Sequence, residues 1–569
     1  MLAALFGDKA KGRSAGFWLG LSFAITAFYG LQSFLYTQGY EYIIQDDARQ
    51  HVIWMQRFID PALFPDDLIA DYFQSLAPTG YTGLYRLAAA AGISPLQLAQ
   101  LLPLGLGLIA TAYCFGVTVQ LLSLPAAGFM SALLLNQTLW LEDDLVSATP
   151  RAFAHPILFA FLYYLLRGTV WPVLLVLALA ALFYPAVALL GLAVLTVRLV
   201  EWRPRLRLTA ERRAYVLLGA GLLVVVAVLL PYLTASSDFG PLITVEQARQ
   251  LPAFKPMDGF YGRVQFFDPN PLMFWLFSHR SGVFFPGLMT PLGLLGFALP
   301  WCLKSPRLPL SQRVSPQVRL LLEVAIAALG LYVLAHMVLF QLHLPGRYST
   351  LVIRAVLPVS AGIALTLWLE SRWRRSGAVS ERVSKRRSWP LIVFVFFLLL
   401  PFYPSLVIDQ QGYVIGQSPE LYTFLQVQPK DARVASIARE ADNLPAFAQR
   451  SVLVAYEYAL PYHTGYYSRF GQRVSDLVQA QYSPDPAQVI QFIEAYQVDF
   501  WLLDLPAFHP EYVAGNKLIH QFQLREQTLP RVTQAPLPAM LAVQSDCTVV
   551  QDEAVALLDA ACLVEALDQ

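Results

Sequence analysis

The chain has 569 residues, of which 56% are hydrophobic and only 14% charged, and its mean hydropathy is +0.49. This composition excludes an ordinary soluble domain and predicts a protein that crosses a membrane several times. The formal net charge of +1 averages Arg-rich and Asp-rich loops, and neither the charge nor any motif indicates a nucleic-acid partner.

Apolar segments long enough to cross a bilayer begin near the N-terminus. The first, residues 16–36, follows Lys9, Lys11 and Arg13, and this basic flank predicts an uncleaved span with a cytoplasmic N-terminus. The other predicted single spans are residues 96–121, 124–141, 150–167, 214–235, 282–302, 320–343, 349–369 and 389–408. Localisation in the plasma (inner) membrane is therefore expected.

The apolar run at residues 170–197 is predicted to form two short helices. The positive-inside rule places three Arg-rich connections in the cytoplasm, which are residues 198–213, 304–319 and 370–387. Residues 170–197 must then begin and end on the cytoplasmic side of the membrane. Pro185 supplies the break between the two helices, because it removes a helical hydrogen bond. Irregular backbone at membrane depth must be buried in protein or line a cavity, so this corner is expected to face an internal cavity.

The predicted fold class is an α-helical polytopic membrane protein with about eleven membrane segments and a C-terminal extracytoplasmic α/β domain. Residues 1–408 form the multi-span domain and residues 409–569 the soluble one. The loops expected outside the cytoplasm are residues 37–95, 141–151, 236–281 and 343–349. In the soluble domain "ARVASIA", "SVLVAYE" and "VDFWLLD" are predicted strands, and "DPAQVIQFIEAY" is a predicted helix capped by Asp485. Strand, helix and strand in succession predict some parallel pairing.

Two of the four cysteines, Cys547 and Cys562, lie in the predicted outer domain. An oxidising compartment permits a disulfide between them, although the spacing does not establish one. The sequence contains no Cys-x-x-Cys, no Gly-rich phosphate loop and no G-x-S-x-G motif, so thiol redox chemistry, P-loop hydrolysis and serine hydrolysis lack support.

The segment "QDDARQHVIWMQRF" places Asp46 and Asp47 just after the first span. Its apolar residues predict a helix along the membrane surface, and Asp47 with Gln50 fits a capping box. Capping leaves Asp46 without a structural role. A carboxylate at such a position can act as a general base or bind a hard cation, and helix capping is the structural alternative.

A second acidic group, Glu142, Asp143 and Asp144, follows the third predicted span on the same side. Carboxylates from two loops are what an oxygen-ligated Mg²⁺ or Mn²⁺ ion needs, so Asp46 and this group are candidate metal ligands. The alternative is an ordinary solvated acidic loop.

Basic side chains also recur on the predicted outer face. Arginine binds phosphate through two parallel hydrogen bonds, whereas a single arginine at a membrane edge is usually a snorkelling anchor. Arg347 is the best candidate for phosphate binding, because a short loop between two spans holds it at the membrane surface. The candidates for binding an anionic head group are Arg151, Arg263, Arg280, His343 and Arg347.

The span followed by "QDDARQHVIWMQRF" resembles the first outer loop of the GT-C superfamily of membrane glycosyltransferases. The acidic group at 142–144 is similar in placement to the second acidic motif of oligosaccharyltransferases. The resemblance implies catalytic or metal-binding roles for Asp46 and Asp47. It also implies sugar transfer from a polyprenyl-phosphate-linked donor, held among membrane lipids, to an acceptor glycan, lipid or protein. The tail lacks the Trp-Trp-Asp motif of oligosaccharyltransferases, so transfer to Asn is not supported.

Two other classes of protein stay open. A lipid or solute transporter would also have broken helices, but it should carry more ionisable residues at mid-membrane depth and internal repeats. A non-catalytic membrane protein whose outer domain binds a partner would need neither acidic group.

Overall fold

The computed structural model describes residues 11–201, 206–234, 237–257, 260–283, 290–376 and 395–569. Lys9, most of the Arg-rich connection 370–387 and the start of the last predicted span lie outside the described residues. Elsewhere the chain is mainly helical, and one large apolar core runs from the long helices into the C-terminal part.

Helices occupy most of the predicted spans. Proline or a capping side chain opens several of them; for example, the Ser94 hydroxyl accepts from the Gln97 backbone N–H, and the Gln97 side chain accepts from the Ser94 N–H. These helices are Lys11–Gln38, Pro95–Leu121, Pro125–Leu139, Ala154–Leu166, Val170–Phe183, Pro185–Val197, Arg212–Thr234, Leu299–Lys304, Arg319–Met337 and Gly346–Ser376. Five described helices are long and apolar enough to cross a membrane.

The break predicted at Pro185 is confirmed. The helix Val170–Phe183 ends at Tyr184, which has φ −151° and ψ 89°, and the helix Pro185–Val197 begins at the proline. The corner packs closely, since a Cβ on Gly80 would lie 2.9 Å from the Leu182 carbonyl oxygen. The broken run is therefore held against the first large loop.

Two predicted spans differ from the structure. Within the described part of 282–302 the chain forms only a 3-10 turn, Gly293–Ala298, and the short helix Leu299–Lys304. The span predicted to end at 343 already ends at Met337. Phe340 and His343 beyond it have positive φ angles of 71° and 61°, which end a helix. Apolar composition overestimated helix length here because composition alone does not distinguish a helix from an apolar segment of another conformation.

The C-terminal part contains a five-stranded mixed sheet. The strand order is Thr548–Gln551, Val555–Asp559, Phe500–Asp504, Arg433–Ser436 and Ser451–Val452. The last three pair in parallel, as predicted, with Val434 opposite both Phe500 and Val452, whereas Val555–Asp559 is antiparallel to its neighbours. The predicted helix is confirmed at Pro486–Tyr496, where the Asp485 carboxylate accepts from the Ala487 N–H.

Further helices of this part surround the sheet, and Trp501 at its centre is fully buried. Cys547 and Cys562 form a disulfide, so the pairing that the sequence only permitted is present. The helices of the C-terminal part are Pro419–Gln426, Leu444–Phe447, Thr464–Gln481, Pro510–Gly515, Lys517–Gln521, Arg525–Thr533, Met540–Cys547 and Ala560–Asp568, whereas the helix Pro404–Gln410 before it packs against Lys11–Gln38.

A small sheet joins the first loop to the C-terminal part. The strand Ile43–Gln45 pairs antiparallel with Tyr413–Ile415, and the Asp46 N–H donates to the Gly412 carbonyl at 2.9 Å. Gly412 adopts φ +66°, a conformation that favours glycine. This pairing fixes the backbone immediately before the acidic pair.

The loops contain short helices and two hairpins. The helices are Ala48–His51, Leu68–Leu76, Thr79–Ala90, Asp143–Val146 and Val245–Gln250. The hairpins pair Val200–Glu201 with Arg207–Leu208 and Pro256–Met257 with Phe260–Tyr261.

Candidate active site

The segment after the acidic pair differs from the predicted surface helix. Ala48–His51 is a single helical turn and Ile53–Phe58 is a 3-10 helix, and Ile53, Trp54 and Met55 are buried. The capping box is wrong as well, because Asp47 makes no side-chain hydrogen bond to the helix N-terminus. The apolar residues face protein instead of lipid, which the sequence pattern alone does not distinguish.

Asp47 instead forms an ion pair with Arg151. The same guanidinium lies 2.6 Å from the Asp144 carboxylate and 3.5 Å from that of Asp143. The two predicted acidic groups therefore meet at one arginine. Below, the five side chains Asp46, Asp47, Glu142, Asp143 and Asp144 are called the carboxylate cluster.

A second arginine, which sequence reasoning missed, contacts the same cluster. Arg354 lies 3.0 Å from Glu142 and also pairs with Asp144, and only 3% of its side chain is exposed. It comes from the helix Gly346–Ser376, inside a predicted span. An arginine within the apolar sequence "LVIRAVLP" is the signal that could have found it, since buried charges are normally paired.

The C-terminal part reaches the cluster through Glu457. Arg49, one turn after Asp46, pairs with Asp46 and lies 3.0 Å from Glu457. Arg263 forms an ion pair with the other Glu457 oxygen, and the Gln50 side-chain amide also donates to this glutamate. Glu457, missed by the sequence analysis, thus connects three separate segments.

The buried position of Glu457 affects its ionisation. Burial raises the pKa of Glu457 to about 7, although the charges of Arg263 and Arg49 act in the opposite direction. Burial together with the neighbouring Asp144 raises the pKa of Asp143 to about 6. Carboxylates are thus crowded here, and arginines compensate their charges.

Two carboxylates of the cluster keep an open face. The side chains of Asp46 and Asp143 are 43% and 42% exposed, whereas those of Asp47, Asp144 and Glu142 are 24%, 22% and 15% exposed. The Cβ atoms of Asp46 and Asp143 both lie within 4 Å of the position that a Cβ on Gly412 would take. The two accessible carboxylates therefore flank the same turn.

Arg347 lies at the edge of the cluster, in the first turn of the helix Gly346–Ser376. Among the described residues its guanidinium has no hydrogen bond or ion pair, although its charge acts on Asp143. Burial and the charge of Arg347 together lower the pKa of His51 to about 4 and that of His343 to about 3. These imidazoles are neutral at physiological pH, and within the described ranges no carboxylate contacts Arg347.

The other predicted basic residues occupy different places. The Arg280 guanidinium donates to the Gln265 carbonyl at 3.3 Å, and its charge contributes to the lowered pKa of His343. Arg263 is engaged by Glu457, as described above. Arg280 and His343 therefore belong to the surroundings of Arg347, whereas Arg151 and Arg263 serve carboxylates.

The cluster as arranged does not fit the predicted Mg²⁺ or Mn²⁺ site. Each of its five carboxylates has an arginine nitrogen within 4.0 Å. No group of three His, Cys, Asp or Glu side chains in the described part of the chain is placed to hold a metal ion. The sequence placed the acidic residues together but did not show that arginines lie between them.

Comparison of the fold with solved structures gives consistent neighbours. No protein-family model and no curated protein sequence matches the chain. The apo oligosaccharyltransferase of Archaeoglobus fulgidus superposes with a TM-score of 0.52 at 12% identity, over 92% of this chain and 73% of that one. The complex of the same organism's AglB with an inhibitory peptide and a dolichol-phosphate gives a TM-score of 0.51 at 12% identity, covering 92% and 72%.

The fold is that of the GT-C glycosyltransferases. ArnT from Cupriavidus metallidurans aligns over 97% of this chain and 99% of its own at 14% identity, with a TM-score of 0.49. At 12% identity the two oligosaccharyltransferase structures show a likeness of fold alone. In this chain the fold brings together the loop after the first helix, the loop around Glu142 and the helix Gly346–Ser376.

Proposed function

We propose that the protein is an integral membrane glycosyltransferase that moves a sugar from a polyprenyl-phosphate-linked donor to an extracytoplasmic acceptor. In the proposed topology, which keeps the predicted count of about eleven membrane segments, the N-terminus lies in the cytoplasm and residues 409–569 lie outside. The donor lies among membrane lipids, and the acceptor is a glycan, a lipid or a protein. The observation that carries the proposal is an accessible carboxylate site beside a cation, Arg347, that contacts no carboxylate among the residues the structure describes.

Arg347 is the residue that receives the donor phosphate. A half-buried guanidinium without a carboxylate in contact has its donors available, and its place in the first turn of a helix adds the positive end of the helix dipole. Arg280 supplies a second positive charge nearby. The pKa of His343 is lowered, so its imidazole is neutral and adds no charge beside Arg347.

Asp46 acts as the general base. Its carboxylate accepts the proton of an acceptor hydroxyl, whose oxygen then forms the new bond to the anomeric carbon of the sugar while the bond to the phosphate oxygen breaks. The negative charge that develops on the leaving polyprenyl phosphate is stabilised by Arg347. Asp47 acts indirectly, because it fixes Arg151 against the second acidic group.

The test is sugar transfer by purified full-length protein from a panel of polyprenyl-phosphate-linked hexoses and pentoses to envelope acceptors. Asp46→Asn should lower kcat by about 10²-fold or more, the range typical of a lost general base, with little change in donor binding. Asp71→Asn is the matched control, because Asp71 is an exposed carboxylate of the same loop that pairs only with Arg57. Transfer by Asp46→Asn at the wild-type rate would contradict the role of Asp46. Movement of labelled lipid across vesicles without sugar transfer would support a transporter instead.

A further inference from the structure

We propose that the guanidinium of Arg151 takes the place of a divalent cation in the carboxylate cluster, so that the chain itself supplies positive charge to the acidic site. The inference concerns the site of the proposed function, but its test does not require sugar transfer. It follows from the disagreement between the acidic residues, which suit an oxygen-ligated metal, and the arginines that lie between them.

The contacts of Arg151 are those of a central cation. It meets carboxylates from two separate loops, that of Asp47 and those of Asp143 and Asp144, and only 15% of its side chain is exposed. A magnesium ion needs near-octahedral oxygen ligands at about 2.1 Å. Each of these three carboxylates has an oxygen within 4.0 Å of a guanidinium nitrogen of Arg151, so a metal ion could gather them into such a shell only if Arg151 moved away.

The balance of charges in the carboxylate cluster also argues against a bound divalent metal ion. Arg151 and Arg354 together bring two positive charges to the carboxylates of Asp47, Asp144, Asp143 and Glu142. A single Mg²⁺ or Mn²⁺ ion would bring the same charge. A metal ion added to the intact site would therefore lie beside two fixed cations, which weaken the attraction of the carboxylates for it.

The turn that presents Arg151 is rigid, so the arginine is not a loosely placed surface residue. Residues Pro150–Phe153 form a 3-10 turn, and Ala148 before it has φ +53°. The Tyr85 hydroxyl donates to the Ala148 carbonyl at 2.9 Å, and the hydroxyls of Ser147 and Thr149 lie 2.8 Å apart. Such fixed backbone holds the guanidinium in the cluster without help from a ligand.

The experiment is a titration of the purified full-length protein in detergent with Mn²⁺, with free Mn²⁺ followed by electron paramagnetic resonance. The wild type should show no saturable Mn²⁺ binding. Arg151→Met keeps an unbranched side chain but removes the charge, and it should bind Mn²⁺ at least about tenfold more tightly than the wild type. Arg151→Lys keeps the charge and should resemble the wild type.

Arg198→Met is the matched control, because Arg198 pairs with one buried carboxylate, that of Glu323, at 3.2 Å. It should not gain Mn²⁺ binding. A folded Arg151→Met protein that binds Mn²⁺ no better than the wild type would overturn the proposal. If Arg151→Met does not fold, the titration of the wild type tests the proposal. Saturable Mn²⁺ binding by the wild type that is lost in Asp47→Asn would overturn it, and absence of Mn²⁺ binding by the wild type would support it. Failure of sugar transfer would affect the proposed function and leave these titrations unchanged.

Discussion

At the scale of single residues, the site is a set of carboxylates held apart by arginines. Asp46, Asp47 and Arg151 could be identified from sequence because they lie in polar stretches next to apolar runs. Arg354 and Glu457 could not, since one lies within a predicted span and the other in the C-terminal part. Their ion-pair partners are at least 194 residues away in sequence, so only the folded chain brings them together.

Glu457 is expected to stabilise the contact between the first loop and the C-terminal part. Glu457→Ala leaves the buried guanidinium of Arg49 and the side chain of Arg263 without this partner, and such a loss typically costs about 3 kcal/mol. The midpoint of thermal unfolding should fall by several degrees. Glu553→Ala, at an exposed position, is the control and should leave the midpoint unchanged. An unaltered midpoint in Glu457→Ala would show that the contact adds no net stability.

The histidine beside Arg347 should make the protein less stable in acid. The pKa of His51 is lowered to about 4, so between the unfolded value near 6.5 and about 4 the unfolded chain binds the extra proton. Stability contributed by neutral His51 is present above pH 6.5 and is lost as the pH falls toward 4. Thermal midpoints measured from pH 7 to pH 4.5 should decline less steeply in His51→Gln. Parallel pH profiles of the two proteins would contradict this.

At the scale of elements, the strand pair Ile43–Gln45 and Tyr413–Ile415 positions the acidic residues. The capping prediction for Asp47 failed because an arginine from another loop competed for its carboxylate. Local pattern does predict the broken helix at Pro185 and the strands of the C-terminal sheet, where proline stereochemistry and alternating burial act within a few residues. Contacts between residues that are far apart in sequence cannot be predicted from such local patterns.

Gly412 should be sensitive to substitution because of its backbone. Its φ of +66° disfavours other residues, and an added Cβ would meet the Gln45 amide at 3.4 Å. Gly412→Ala is expected to lower the free energy of unfolding by about 1 kcal/mol and to reduce sugar transfer through displacement of Asp46. Gly83→Ala, in the helix Thr79–Ala90 with open space around it, should be neutral or stabilising. Equal stabilities of the two variants, measured by denaturant unfolding, would refute the argument.

At the scale of the whole molecule, a helical membrane part and a mixed α/β part share one apolar core and one polar site. The long apolar helices account for the first, and the sheet between Arg433 and Asp559 organises the second. The proposed reaction needs this arrangement, because a lipid-linked donor must lie at membrane level while the acceptor approaches from water.

The proposed topology can be tested by labelling with a membrane-impermeant maleimide in a Cys302→Ala background. Asp431→Cys, at an exposed position of the C-terminal part, should react in intact cells. Gln312→Cys, exposed in the connection 304–319, should react only after the membrane is permeabilised. Labelling of both positions in intact cells would contradict the orientation.

The sequence by itself determined the membrane class, the break at Pro185, the C-terminal strands and the identity of the acidic and basic candidates. These depend on apolar content, proline stereochemistry and short periodicities, which act over neighbouring residues. Only the tertiary structure decided that Arg151 and Arg354 lie among the carboxylates, that Glu457 joins Asp46 through Arg49, and that Arg347 contacts no carboxylate in the part of the chain that the structure describes. Ion pairs between distant segments depend on how the helices pack, and no local pattern encodes that packing.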